Sequence, residues 1–172
     1  MSGKVIGTTL PYGFRGGVTR NPDNIVSPFH NVGATPIEYG EPVVFDPEQN
    51  GVRRMTAEDS NADNVVGFAV RRMGQPHSDS PDGWYYGSDE TVDVLIRGSM
   101  TVELADTDGA AARGKVFVCN GSKATQSDNP RVAGAIVASS GDDAFPIPNV
   151  IFATGKCDGN NIAEITILTR SI

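Results

Sequence analysis

The chain has 172 residues and a formal net charge of −7, long enough for one domain with a real core and of a sign that argues against nucleic acid as the main partner. Glycine (20) and proline (11) together make about 18% of it, against roughly 12% in an average protein; with no Gly-X-Y period, that excess points to many tight turns and an all-β domain. No apolar run is long enough for a membrane helix, and the opening MSGKVIGTTL has no apolar h-region or cleavage site, so no signal peptide is expected.

The first distinctive stretch is PYGFRGGVTRNPDNIVSPF, residues 11 to 29. Three prolines and three glycines interrupt Tyr12, Phe14, Ile25, Val26 and Phe29, a pattern that fits neither a helix nor an alternating strand. A disordered tail has little use for two phenylalanines and a tyrosine, so these side chains need a surface to bury against. Residues 1 to 37 carry Lys4, Arg15 and Arg20 against Asp23, a net +2, which leaves −9 on the remaining 135 residues. Residues 1–31 are therefore expected to form an extended, weakly basic arm, and residues 32–172 an acidic body.

From residue 32 the text becomes regular. PIEYGEPVVFDPEQNGVRRM predicts a short strand, a turn at Gly40 to Pro42, a strand over Val43 to Phe45 and a hairpin at Asn50-Gly51. TAEDSNAD (56 to 63) is polar, with at most one helical turn capped by Thr56. NVVGFAVRR alternates, with Val66, Phe68 and Val70 expected on one face. A long polar loop at 74–90 carries the sole tryptophan, Trp84, beside Tyr85 and Tyr86. This triplet suits a subunit contact, a cap on a barrel end or a sugar platform, and marks three candidate exposed surface residues.

The best strand is TVDVLIRGSMTVEL. Val92, Val94, Ile96, Met100, Val102 and Leu104 hold even positions, while Asp93, Arg97, Ser99, Thr101 and Glu103 hold odd ones, with Leu95 the exception. Parity survives Gly98, which predicts one long strand, or two coplanar ones, with a bend or bulge at the glycine, one face buried and the other wet. Strands follow over Lys115 to Cys119, in RVAGAIVAS, in FPIPNVIFATG and in NNIAEITILTRSI. YGEPVVFDPEQNG…ADNVVGFAV and ARGKVFVCNGSK…NPRVAGAIV share an order of turn, strand, Asn-Gly, polar stretch and glycine-marked strand, which suggests duplicated halves of a barrel or sandwich.

Chemistry is harder to find. Only His30 and His77 could serve a nucleophile as base, and neither sits in a nucleophile motif. Asp79 and Asp82 beside His77 lack the closing glutamate of a calcium loop, so a solvated surface loop is the better reading. Cys119 and Cys157 have no CxxC partner and read as ordinary thiols rather than zinc ligands. No phosphate-binding glycine motif occurs, and no cofactor or metal is expected.

The layout LPYGFRGGVTRNPDNIVSPFHN, then YGEPVVFD…NGVRRMTA…NVVGFAVR, VDVLIRGSMTVEL and ARGKVFV…VAGAIVA, resembles the structural cement (capsid decoration) proteins of tailed bacteriophages over nearly the whole chain. The long loop at 74–90 departs from that family's lean pattern. The resemblance implies a compact β-barrel or jelly-roll-like body that forms a homotrimer, sits on the outer capsid surface of the virion, and holds neighbouring major capsid proteins against DNA pressure. It implies no enzyme activity, and no nucleic acid or membrane as partner. Tyr12, Phe14, Arg15, Arg20, Ile25 and Phe29 are then expected to bind the capsid or the adjacent subunit. The alternative is another virion surface module, a head-fibre base or a carbohydrate-binding domain, working through Trp84, Tyr85 and Tyr86.

Overall fold

Alternating β-branched residues broken by Gly, Pro and Asn favour short strands over helices, and strands are what form. The computed structural model describes residues 12–19, 22–59, 62–72, 85–106, 109–122, 131–155 and 157–169. Among these there is no helix. The strands are β1 (Ile25–His30), β2 (Ile37–Glu38), β3 (Pro42–Asp46), β4 (Gly51–Arg54), β5 (Val65–Ala69), β6 (Tyr85–Tyr86), β7 (Thr91–Glu103), β8 (Lys115–Cys119), β9 (Ile136–Val137), β10 (Ala144–Phe152) and β11 (Ile162–Ile167). The main sheet runs β4-β3-β5-β7-β11-β10-β8-β9, with β1 also on β7 and β2 paired apart with β6. All these strand pairs are antiparallel. The body is barrel-like, as expected.

The sheet rolls back on itself at both ends. Past β1, Asn31 bridges Val52 of β4, and the Val32 amide donates to the Val52 carbonyl at 2.9 Å. At the other end Leu104 bridges Ile136 of β9, and the Ala105 amide donates to the Ile136 carbonyl at 2.8 Å. Two barrel-like lobes result, and they share β7. The first lobe encloses Ile37, Val43, Val52, Tyr86, Val92 and Val94. The second encloses Met100, Val102, Val116, Phe152 and Ile165, and its core extends to Val44, Phe68 and Leu95 on the opposite face of β3, β5 and β7.

β7 is one unbroken strand, with a positive φ of 116° at Gly98. Its even residues do not share one core, however. Val92 and Val94 fill the first lobe, whereas Met100, Val102 and Leu104 fill the second. Leu95, the exception to the parity, joins the second core. Nor is the odd face wet just beyond the glycine: Ser99 and Thr101 are buried, and only at Glu103 does exposure return. Backbone from residues 16 to 19 covers that edge, and the Ser99 and Thr166 hydroxyls lie 2.9 Å apart.

β5 also departs from simple alternation. Val66 and Ala69 enter the first lobe, while Val65 and Phe68 enter the second core. The register against β3 slips between Val43 and Val44, opposite Gly67 and Val65. A Cβ on Gly67 would collide with the Leu95 carbonyl, so the glycine lets β5 press against β7. Asn50 takes a φ of 52° at the expected β3–β4 hairpin. No helical turn forms after Thr56; instead its amide donates to Asp59 Oδ2 at 2.8 Å and the Asp59 amide donates back to the Thr56 carbonyl at 3.1 Å. The two repeat-like stretches lie at opposite ends of the sheet as β3–β5 and β8–β9, but their pairing differs: Gly67 sits opposite Val43, whereas Gly134 precedes its strand.

Candidate functional site

The expected arm lies, in its described part, on its own body. Three prolines and three glycines deny it regular alternation, so it follows β7 on one edge, crosses it, and returns on the other. Along the first edge the Gly16 amide donates to the Thr101 carbonyl at 2.8 Å, the Thr101 amide to the Gly17 carbonyl at 2.9 Å, and the Thr19 amide to the Ser99 carbonyl at 2.9 Å. The Thr101 hydroxyl donates to the Phe14 carbonyl at 2.6 Å. The crossing falls at Gly98, where a Cβ would collide with Asn24 Oδ1 and lie 2.8 Å from the Asn24 Cα. Asn24 locks the crossing: its Oδ1 accepts the Ser99 amide at 2.9 Å, and its Nδ2 donates to the Thr19 carbonyl at 2.9 Å. Beyond it, β1 pairs with β7 from Arg97 to Thr91.

This strap divides the expected contact residues. Phe14 is 67% exposed, with the Arg71 guanidinium 4.3 Å from its ring centroid, a cation–π stack that holds it upright without burying it. Ile25 is 44% exposed opposite Arg97. Phe29 instead packs, half-buried, against the first-lobe core. Tyr12 is half-buried, and its amide donates to Asp158 Oδ2 at 2.9 Å. Arg15 spends its charge within the molecule, 2.6 Å from Glu38 and 3.4 Å from Glu103. Arg20 lies outside the described residues.

Reading side chains one by one missed two further exposed apolar residues. Val18 bridges Met100 and Leu168 follows β11, whose Ile167 pairs with Gly98 itself. With Ile25 and Val26 they flank the crossing. Their signal in the sequence is weak, since single aliphatics are common on surfaces.

Of the aromatic triplet, Tyr86 does not belong to an exposed platform. Trp84 and most of the 74–90 loop, with His77, Asp79 and Asp82, lie outside the described residues. Tyr85 is half-buried. Tyr86, expected on the surface, is 1% exposed: its ring meets Tyr39 edge-on at 5.3 Å, and its hydroxyl donates to the Val70 carbonyl at 2.6 Å. Burial, reinforced by the charge of Asp93, pushes its phenol up to about 12. β6 pairing with β2 turns this side chain inward.

Charge beside the strap is paired. Arg54 holds Glu41 at 2.6 Å, and the other Glu41 oxygen accepts the Glu38 amide at 3.0 Å. Burial still raises the Glu41 carboxyl above its ordinary range, against the pull of Arg54. His30 Nε2 makes a surface contact with Asp89 at 3.2 Å. Cys119 and Cys157 are free thiols, and burial pushes Cys119 up to about 11 and Cys157 in the same direction, away from a reactive thiolate.

Comparison with known proteins agrees with this geometry. The family pattern described as structural cement protein (E217 gp24/Pam3 gp6) matches residues 3–168. A chain from the structure "The capsid of Myoviridae Phage XM1" is similar in fold, with a TM-score of 0.70 and 20% identity over 97% of each chain. No curated protein matches the chain.

Proposed function

The chain belongs to the phage structural cement protein family, and is thereby a structural protein of the virion that decorates and stabilises the capsid; from that premise we propose that the strap face is where it grips the major capsid protein. The observation that carries this reading is the exposed apolar set at the strap: Phe14, Val18, Ile25, Val26 and Leu168. Solvent exposure of such residues along one chain crossing favours an interface over chance. Because backbone bonds to β7 already fix the strap, docking on it costs little ordering entropy. The extended arm expected from the sequence becomes, in this reading, a preformed docking edge at residues 12–31 of a body that follows as one domain.

The cement acts as a homotrimer on the outer shell, bridging neighbouring capsid proteins against DNA pressure, and has no catalytic role. The acidic body favours solubility before assembly. A carbohydrate-binding reading has less support, since Tyr86 belongs to the core rather than to a sugar platform.

The test compares wild type with the double variant Phe14→Ser, Ile25→Ser on capsids stripped of the protein. Both side chains are exposed, so thermal stability should change little while capsid occupancy falls at least tenfold. Wild-type occupancy by the double variant would overturn the docking assignment. Light scattering on the free protein reads the trimer.

A further inference from the structure

A groove runs along the seam between the two lobes and meets the strap face at Phe14. At one end is a hollow of about 470 Å³ with Gly33, Ala34, Met55, Val132 and Ala133 among its walls. Arg54 and Val132 also line the next hollow, which continues past Glu41, Gly134 and Ala135. Arg15, Tyr39 and Glu103 line that hollow and a third, which reaches Phe14, Asn160 and Ile162. Each hollow shares wall residues with the next, so the three follow one another as a trough along the seam. Gly33, Ala34, Thr35, Thr56 and Ala133 keep much of the first hollow's wall low, and Val132 is 46% exposed beside them. Such a trough suits an extended chain rather than a compact ligand.

We propose that this groove receives residues 1–11 of a second copy of the chain. Three observations select that occupant. First, eleven residues precede Tyr12, whose amide is tied to Asp158 near the groove's far end, and a strand of that length reaches up to about 36–40 Å. Second, the family match begins at residue 3, so most of this segment lies within the matched region. Third, MSGKVIGTTLP combines β-branched and small residues with one positive charge, Lys4, and no acidic residue. The central hollow carries Glu38, Glu41 and Glu103 against Arg15 and Arg54, within a body of net −9.

A second copy is favoured over the chain's own groove because Gly13, Phe14 and Arg15 already form part of its wall. To enter it in cis, the chain would have to reverse at Leu10-Pro11, and a residue before proline is biased to extended backbone. Passing each N-terminus head-to-tail into the next copy closes a ring when the rotation between copies closes, as a trimer requires. This inference rests on the self-association in the proposed function and specifies how it is built.

The test places a benzophenone amino acid at position 6 and irradiates an equal mixture of ¹⁴N and ¹⁵N chains, both free and on decorated capsids. Cross-linked peptides of mixed isotope that join position 6 to residues 33–56 or 131–136 are the expected result. The same experiment with Val132→Arg, an exposed substitution that blocks the groove, should lose at least tenfold of that product. Cross-links within one chain, to other surfaces, or none in either setting would overturn the proposal. Light scattering separates the outcomes: an intact trimer without groove cross-links sinks this inference alone, and a monomer sinks the trimer reading as well.

Discussion

At the scale of single residues, the crossing at Gly98 concentrates the most structure in the fewest atoms. Gly98→Ala would set a methyl against Asn24 in a backbone region that L-residues avoid, at a cost of roughly 1–3 kcal/mol. Asn24→Ala removes two hydrogen bonds, at about 1 kcal/mol for each. Because both act on the same crossing, denaturant titration of the double variant should show less than the sum. Asp59 is a second place where one side chain can be read out. Burial opposes its charge, but a bidentate contact to Arg53 at 2.7 and 2.8 Å, together with the Thr56 amide, outweighs that and holds its carboxyl below the usual range. A depressed carboxyl stabilises the fold above its unfolded value of about 4 and loses that contribution as pH falls through the folded value. Glu41, raised by burial, slopes the other way: its contribution is present at low pH and lost as pH rises through its folded value. Asp59→Asn should therefore flatten the fall in melting temperature below about pH 4, and an unchanged acid limb would refute the role of the Arg53 pair.

Among the elements, β1 shows how a strand can be legible in function and illegible in form. Its residues read as an arm because Pro22, Pro28 and three glycines break every period around it, while its hydrogen-bonding partner, β7, lies far along the sequence. β7, by contrast, was readable from parity alone, including the bend at Gly98. What parity could not convey is that one strand serves two cores, since burial on both faces is set by long-range closure at Val52 and Ile136. Tyr86 escaped for a similar reason: two residues of β6 carry no pattern, and only pairing with Ile37 and Glu38 orients them. Pro28 then takes on a meaning of its own. The Asn31 amide donates to the Glu90 carbonyl at 2.8 Å, so by alternation the amides of residues 29 and 27 also face β7. Position 28 points outward, where a free donor would invite another strand, and proline has none. Pro28→Ala should leave stability within about 0.5 kcal/mol yet raise concentration-dependent association, visible by light scattering; unchanged association would remove the guarding role.

For the whole molecule, sharing β7 between lobes makes the two cores one thermodynamic unit. Phe152→Ala, deep in the second lobe, should cost about 3–5 kcal/mol. Amide exchange in β3 and β4 of the first lobe should accelerate with it, in a single cooperative transition. Two separate transitions would show that the lobes unfold independently. The strap also imposes an order in time. Phe14 meets Thr101 across 87 positions and Asn24 meets Ser99 across 75, so residues made early find their seat among ones made later. Closing loops of that length is slow, and the rate falls as contacts become less local. Until β7 emerges, the strap backbone and Phe29 have no seat. The nascent chain thus carries the strap unseated until β7 follows, and a delay there is a delay in which chaperones or neighbouring polysomes get the first touch.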